Sequence, residues 1–293
     1  WQHNCLSKIC CKKNRSIKMI DKNRNKTLTV ISLGAGVQSS TMAIMAAKGD
    51  LPPVDCAIFA DTGNEPKMVY TYLNLLKKIL PYPIHIVSKG NIMEDMLNAK
   101  GNTNFVVAPY FTQNKITGKK GMVMRQCTND YKIQEIRKKI RELCGVKKGK
   151  HFPKDKYVEQ WIGISTDEIA RMKPARDKYI YNRHPLIEAN MSRKDCIKYL
   201  KDNDIPLPEK SACIVCPYHN DAYWHFMKTE RPSEFAIAVD FDKKVRTITR
   251  KQDEEIYVHR SCKPLDEVEF DKKETDKQID MFSHLCDEGM CGV

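Results

Sequence analysis

The sequence predicts an α/β fold: a Rossmann-like α/β/α sandwich on a parallel sheet, followed by a small helical, cysteine-bearing C-terminal region. Three observations indicate this class. Apolar strand-like runs alternate with helical stretches through the first half of the chain. Small or acidic residues follow two of these runs, at Gly34 and Asp61, as expected where parallel strands end. After about residue 190 the pattern becomes helical and contains Cys213 and Cys216.

The first half of the chain supports this class element by element. Strands are predicted at 27–33, 54–60 and 82–88, and helices at 39–48, 66–80 and 91–99. The second of these helices begins with Pro66, a residue suited to a first helical turn. Residues 100–127 have weak periodicity, so we expect a loop there with one short strand at 105–108.

The second half begins with an amphipathic helix predicted at 129–143, with Lys and Arg on its polar face and a stop at Gly145. A strand predicted at 157–165 completes the parallel sheet. Further helices are predicted at 192–202, 218–230 and 232–249.

Composition bounds the class of protein. The 293 residues are 41% hydrophobic, which is enough for a sizeable core. Residues 115–156 hold fourteen Lys or Arg and four acidic residues, so they predict a basic face for tRNA or DNA, with a solvated lysine surface as the alternative. No apolar run reaches the roughly 20 residues of a membrane span. Cys-x-x-Cys in a chain of this length favours a reduced, cytoplasmic, metal-binding protein without membrane association.

Residues 30–44, VISLGAGVQSSTMAI, form a strand, glycine loop and helix pattern typical of phosphate binding. The loop lacks the Gly-Lys-Ser/Thr of a Walker loop and the third glycine of the dinucleotide fingerprint. Small residues after a strand are also compatible with a simple tight turn.

Four stretches together resemble the phosphoadenosine-phosphosulfate (PAPS) reductase family of the adenine nucleotide alpha-hydrolase-like (PP-loop ATPase) superfamily. They are GAGVQSS (34–40), FADTGNEP (59–66), WIGISTDEIAR (161–171) and SACIVCPYHNDAYW (211–224). The resemblance covers about residues 27–250 and implies binding of ATP or a phosphoadenosine nucleotide, with Mg²⁺ as a further candidate. We therefore divide the chain into a disordered leader (1–26), an adenine-nucleotide-binding α/β domain (27–190) and a helical C-terminal region (191–293).

The family loop runs Ser-Gly-Gly-x-Asp-Ser, and Gly36 and Ser39 match it outright. Ala35 is a small substitute, Gly34 lacks the serine hydroxyl, and Gln38 replaces the aspartate. Loss of that carboxylate counts against metal-assisted ATP cleavage more than against binding, which backbone N–H groups mostly supply. The nucleotide-binding residues implied by the resemblance are Ser32, Gly34, Ala35, Gly36, Gln38, Ser39, Ser40, Asp61, Thr62 and Gly63.

The resemblance implies three catalytic residues: Asp61, Glu168 and Arg171. Asp61, at a strand end, would hold a cation or a ribose hydroxyl, and a helix cap is the alternative. Glu168 and Arg171 match a family Gly-x-x-x-x-Glu-x-x-Arg segment that starts at Gly163. An arginine there would clamp phosphate or sulfate, whereas the alternative is an i,i+3 ion pair.

Cys213 and Cys216 form the sharpest metal signal, because two thiolates at this spacing can bind one ion or one cluster edge. Together with Cys127, which precedes the basic helix, they resemble the tRNA thiolation enzymes of the superfamily. Those enzymes hold a 4Fe–4S cluster with three cysteines and leave one iron open for sulfur. A structural zinc is the alternative, and Cys286, Cys291 and His219 are rival or additional ligands, whereas Cys56 and Cys196 are predicted core residues.

The favoured function is an enzyme, a PAPS-reductase-like transferase or oxidoreductase or an ATP pyrophosphatase, that performs sulfur transfer or nucleic-acid thiolation. In that scheme a target oxygen is adenylated and sulfide then replaces it. The alternative is a nucleotide- and metal-binding module without turnover, which the substitution at Gln38 favours. A plain sulfonucleotide reductase is disfavoured, because CDEGMCGV at 286–293 lacks the histidine of that family's C-terminal cysteine motif.

Overall fold

The computed structural model describes residues 24–98, 108–247 and 253–270. Its strands are β1 (Asn25–Leu33), β2 (Cys56–Asp61), β3 (Ile84–Ser88), β4 (Phe111–Asn114), β5 (Lys120–Met122), β6 (Lys156–Ile162), β7 (Ile180–Arg183) and β8 (Glu254–Tyr257). Its α-helices are α1 (Val37–Lys48), α2 (Lys67–Ile79), α3 (Ile92–Leu97), α4 (Gln134–Leu143), α5 (Pro185–Glu188), α6 (Arg193–Asp202), α7 (Asp221–Glu230) and α8 (Pro232–Arg246). A π-helical segment, Thr128–Ile133, runs into α4, and 3-10 turns lie at Thr166–Arg171 and Leu265–Glu267. None of the helices in these ranges is long and apolar enough to cross a membrane.

Five parallel strands form the main sheet in the order β3-β2-β1-β6-β7. The chain moves from β1 outward to β3 and then continues on the other side of β1 with β6. The strand order therefore reverses between β1 and β6, which is where open α/β sheets bind ligands, at the carboxyl ends of their strands. The predicted α/β fold with a parallel sheet is confirmed.

Successive residues of the central strands enter different cores, as a period of two requires. Ile31, Phe59 and Trp161 pack with α1, α2 and α6 on one face of the sheet. Val30 and Ile58 pack with α4 on the other. The sheet is thus covered on both sides, which produces the α/β/α layers.

A third core lies beside the sheet. It joins residues of α3 and of the segment 108–131 to residues from 214 to 270, with Tyr110, Trp224 and Phe241 completely buried in it. Helix α6 instead shares the first core through Cys196 and Leu200. The division of the chain at residue 190 stays a prediction.

Two differences from the predicted elements matter for the site. Strand β1 begins at Asn25, inside the predicted leader, because Asn25 pairs with Lys156 of β6. The predicted loop at 100–127 contains the hairpin of β4 and β5, which forms an antiparallel sheet with β8. The strand predicted at 105–108 lies almost entirely outside the described residues, as does most of the leader.

Candidate functional site

The loop between β1 and α1 has a backbone suited to an anion. Ala35 adopts a φ of 54°, in the left-handed region that residues other than glycine rarely occupy. Gly36 is the N-cap of the twelve-residue α1, and a Cβ added there would meet nothing within 4 Å. Ser39 closes the loop, since its Oγ accepts from the Gly34 N–H at 3.2 Å and donates to the Gly36 carbonyl at 3.3 Å. The loop therefore combines open space with the N-terminus of a helix.

Gln38 connects this loop to two other elements. Its Nε2 donates to Ser165 Oγ at 3.5 Å, and its Oε1 accepts from Nη1 of Arg193 at 2.8 Å. Gly163 lies so close that a Cβ there would be 2.8 Å from both N and Cα of Ser39. The ends of β1 and β6 thus meet the start of α6. Sequence reasoning missed Arg193, because a cation in a first helical turn carries no signal without this tertiary contact.

Two predicted nucleotide-binding serines lie away from the open side of the loop. Ser40 has no exposed surface, and Ser32 is 7% exposed. Their contact with a phosphate stays a prediction, and the open position of the loop is at Gly36.

The turn after β2 is held by Asp61. Its Oδ1 accepts from the Gly63 N–H and from the Tyr70 hydroxyl, each at 2.8 Å. Burial, and then this hydrogen bond, raises the pKa of Tyr70 far above its ordinary value. Gly63 has a φ of +68°, and a Cβ there would lie 2.9 Å from Cα of Asn91. These contacts explain Asp61 and Gly63 as turn residues, so their role toward a nucleotide stays a prediction.

Glu168 and Arg171 form an i,i+3 ion pair, the stated alternative to phosphate binding, with Oε2 and Nη1 2.6 Å apart. Both side chains are largely buried. The neighbouring Asp167 accepts from the backbone N–H of Arg193 at 2.9 Å. This segment therefore lies beside the phosphate loop, and its catalytic role stays a prediction.

The three predicted metal ligands, Cys127, Cys213 and Cys216, line one cavity of about 30 Å³, which we call the thiol cavity. Its wall also contains Thr62, Tyr110, Arg125 and Lys132. Burial, and then the charges of Cys127, Cys216 and Cys213, raises the pKa of Tyr110 well above its ordinary value. The structure thus brings together cysteines that are distant in the chain.

Hydrogen bonds fix the turn that carries Cys213 and Cys216. The Ile214 N–H donates to the Asn64 carbonyl at 2.9 Å, which ties the turn to the segment after β2. Cys213 O accepts from the Cys216 N–H at 3.0 Å and lies 2.8 Å from Nε2 of His219. Burial lowers the pKa of His219 well below its ordinary value, so the neutral ring donates this bond.

Within the described ranges, no group of three or more His, Cys, Asp or Glu side chains is arranged to hold a single metal ion. The rival ligands Cys286 and Cys291 lie outside those ranges. Cys56 and Cys196 are buried in the sheet cores, as predicted, and burial raises their thiol pKa values to about 11 and about 12.

The predicted basic face is partly neutralised along α4. Arg137 pairs with Asp177, and Lys138 pairs with Glu135 at 2.6 Å. Arg141 bonds the Lys150 carbonyl and lies over the Tyr179 ring. Exposed lysines continue beyond α4, at Lys147, Lys148 and Lys150.

No protein-family model and no curated protein matches the chain. Among solved structures, it is similar to the crystal structure of phosphoadenylyl-sulfate (PAPS) reductase from Candida auris in a phosphate complex. The two are 16% identical, the match covers 64% of this chain and 81% of that chain, and the TM-score is 0.40. Similarity at this level assigns neither a family nor a function.

Proposed function

We propose that this protein is an adenine-nucleotide-binding enzyme of PP-loop, PAPS-reductase-like type that transfers sulfur to a nucleic acid. The proposal includes a 4Fe–4S cluster held by Cys127, Cys213 and Cys216. The observation that carries it is the thiol cavity, where thiols from two distant loops meet beside Thr62. Thr62 follows β2, the neighbour of the strand that ends at the phosphate loop.

The nucleotide part rests on the loop after β1. Open space at Gly36 and the start of α1 suit the phosphates of ATP or a phosphoadenosine nucleotide. Gln38 brings no carboxylate to the loop for Mg²⁺, and it bonds Arg193 instead. We therefore expect backbone N–H groups and this nearby guanidinium to bind the phosphates more strongly than any bound Mg²⁺ does.

Three thiols in one cavity can serve a cluster or a structural zinc ion. The cluster is the one proposed because the cysteine pattern resembles that of the thiolation enzymes. When bound, a cluster with three protein ligands supplies one iron that can carry sulfide.

The sulfur acceptor in this proposal is an oxygen of a tRNA or DNA base. ATP adenylates that oxygen with release of pyrophosphate, and sulfide then displaces AMP, so the oxygen leaves with the phosphate. The exposed lysines after α4 provide charge for the polyanion.

Anaerobic purification with iron, sulfide and zinc analysis tests the cluster. We expect brown protein that is bleached by Cys127→Ala, Cys213→Ala or Cys216→Ala, because each removes a ligand. Cys144→Ala is the matched control, since Cys144 caps the end of α4 and does not line the cavity. Colourless protein with one equivalent of zinc would overturn the cluster. Bleaching by Cys291→Ala would indicate four ligands and no open iron.

A nucleotide- and metal-binding module without catalytic turnover is the second candidate. It is favoured by the uncharged Gln38 and by the Glu168–Arg171 ion pair, in which two predicted catalytic residues bind each other. Pyrophosphate release from ATP, measured with and without bulk tRNA or DNA, separates the two functions. ATP binding without pyrophosphate release under either condition would favour the module.

A further inference from the structure

We infer that the buried carboxylate of Glu65 is a positioning residue for the thiol cavity, which it holds together by joining the segments that carry Cys127 and Cys213. The inference rests on the proposed role of these thiols. It adds a residue that hydrogen-bonds Thr62, a neighbour of Cys213, and pairs with Lys132 in the segment that follows Cys127.

Glu65 lies in the turn after β2, and none of its side chain is exposed. A buried carboxylate is costly unless it is paired and hydrogen-bonded. Here Oε1 lies 3.3 Å from Nζ of Lys132 and accepts from Thr62 Oγ1 at 3.2 Å. Oε2 accepts from Ser211 Oγ at 3.5 Å. One carboxylate therefore has partners in three separate segments of the chain.

Each of these partners lies close to one of the cavity cysteines, either in space or along the chain. Thr62 Oγ1 lies 3.2 Å from Sγ of Cys213, and Ser211 is two residues before that cysteine. Lys132 belongs to the π-helical segment that Cys127 precedes, and its side chain lines the cavity. Glu65 thus bonds to the turn after β2, to the Cys213 turn and to the Cys127 segment at once.

The Thr62 hydroxyl makes the link to Cys213 directional. A hydroxyl has one proton to donate and two lone pairs that accept. While Thr62 donates to Glu65, it can only accept from Cys213, which requires the protonated thiol of the metal-free protein. Replacing Glu65 by glutamine leaves one acceptor oxygen in place of two and removes the buried counter-ion of Lys132, so the side-chain bonds to both segments weaken. The Cys213 turn keeps its backbone bond to Asn64.

The test measures alkylation rates of individual cysteines by iodoacetamide and peptide mass spectrometry, on chelator-treated, reduced full-length protein. Thiol alkylation depends on the thiolate fraction and on access, so the limiting rates at high pH, where the thiols are ionised, are compared. Glu65→Gln should raise these limiting rates of both Cys213 and Cys127 by roughly threefold or more. Thr62→Val keeps the shape of the side chain but removes the hydroxyl, and it should change Cys213 alone. Cys144 serves as the internal reference in every variant.

Glu234→Gln is the matched control. Glu234 is a buried carboxylate that accepts from the Lys67 N–H at 3.0 Å and pairs with Arg231, and it does not line the thiol cavity. We expect it to leave Cys213 and Cys127 unchanged. If Glu65→Gln misfolds, Glu65→Asp replaces it with the same expected pattern, because the shorter carboxylate cannot reach all three partners.

Rates of Cys213 and Cys127 that stay at the wild-type value in a folded Glu65 variant would overturn the inference, as would an equal rise at Cys144. Metal and sulfide analysis of the same preparations separates this result from the proposed function. Wild-type protein without a cluster rejects the cluster, whereas the alkylation pattern still decides the role of Glu65.

Discussion

At the scale of single residues, two glycines near the phosphate loop lack a side chain for different reasons. At Gly36 an added Cβ would meet nothing within 4 Å, so the folded chain itself has room for it. At Gly163 an added Cβ would lie 2.8 Å from the backbone of Ser39. The first position points to a ligand that needs the space, and the second to packing of the fold.

Gly36→Val should therefore fold but bind ATP at least roughly tenfold more weakly, because a branched side chain would occupy the space that a phosphate needs. Calorimetric titration with ATP measures the affinity, and an unchanged melting temperature shows that the fold is intact. Unchanged affinity in folded protein would show that the phosphate loop is wrongly assigned.

Gly163→Ala should instead lower the free energy of unfolding by about 1–3 kcal/mol, because the methyl group would overlap backbone that cannot move aside easily. Denaturant unfolding measures this loss, provided that the dependence of the unfolding free energy on denaturant concentration (the m-value) is the same in both proteins. Stability equal to wild type would mean that α1 and the end of β6 separate at no cost.

His184 should make stability depend on pH. It is buried at the N-cap of α5, and burial lowers its pKa below the ordinary value. The unfolded chain therefore binds a proton at higher pH than the folded chain. The contribution of His184 is fully present above about pH 6.5 and is lost as pH falls below it, by at most about 1.4 kcal/mol per pH unit.

Denaturant unfolding of wild type and His184→Gln, at neutral pH and about two units lower, tests this sign. The glutamine cannot titrate, so the variant should lose less stability on acidification than wild type. Equal losses of stability in the two proteins would show that His184 has the same pKa in the folded and the unfolded chain.

At the scale of elements, the π-helical segment explains how Lys132 reaches the thiol cavity. Residues five apart in an α-helix point about 140° away from each other, since one turn takes 3.6 residues. Hydrogen bonds from i to i+5 widen the turn and bring such residues onto one side. Cys127 and Lys132 are five apart, and both line the cavity. The helix predicted at 129–143 lies at the predicted position, but its first turns are π-helical and not α-helical.

The loop after α4 should contribute more to polyanion binding than α4 itself, because Arg137 and Lys138 already have carboxylate partners. Replacing Lys147 and Lys148 together by glutamine should weaken tRNA or DNA binding. It should also reduce the slope of log K against log salt by up to about 0.7–0.9 for each lysine.

The control for this experiment replaces Lys77 and Lys78 of α2 by glutamine, which changes the net charge by the same amount. It should leave the slope nearly unchanged. Equal effects of the two double variants would indicate a general charge effect and no defined basic face.

At the scale of the whole molecule, the thiol cavity lies where distant parts of the chain meet. The third core contains Tyr110 and Tyr131 from the middle of the chain and Val215 and Trp224 from the later part. Cys127 and Cys213 pack against that core from its two parts. A group bound to both cysteines would therefore connect the middle and the later segments of the chain that together form the third core.

Loss of the proposed metal group should accordingly lower thermal stability. A ligand present at a hundred times its Kd stabilises the folded state by about 2.7 kcal/mol. Removing iron or zinc with a chelator should lower the melting temperature of wild type by several degrees and leave Cys213→Ala unchanged. Identical shifts in both proteins would mean that the metal stabilises the protein at a site other than the thiol cavity.

The sequence alone determined the features that depend on near neighbours. Apolar runs and turn residues predicted the parallel sheet, and helix α6 was placed within one residue of its observed start at Arg193. The Glu168–Arg171 pair could be named as an alternative because i,i+3 spacing is local. The phosphate loop and the Cys213–Cys216 pair were predicted from local pattern and spacing, whereas the adenine nucleotide and the grouping of Cys127 with that pair came from the resemblance.

The tertiary structure decided the contacts between residues that the chain separates widely. Strand β4 was not predicted because four residues carry little periodicity, and its pairing depends on β8, far along the chain. The Gln38–Arg193 contact and the Glu65–Lys132 pair were likewise missed. Spacing along a sequence constrains only groups within a turn or a strand, whereas these contacts depend on how the layers pack.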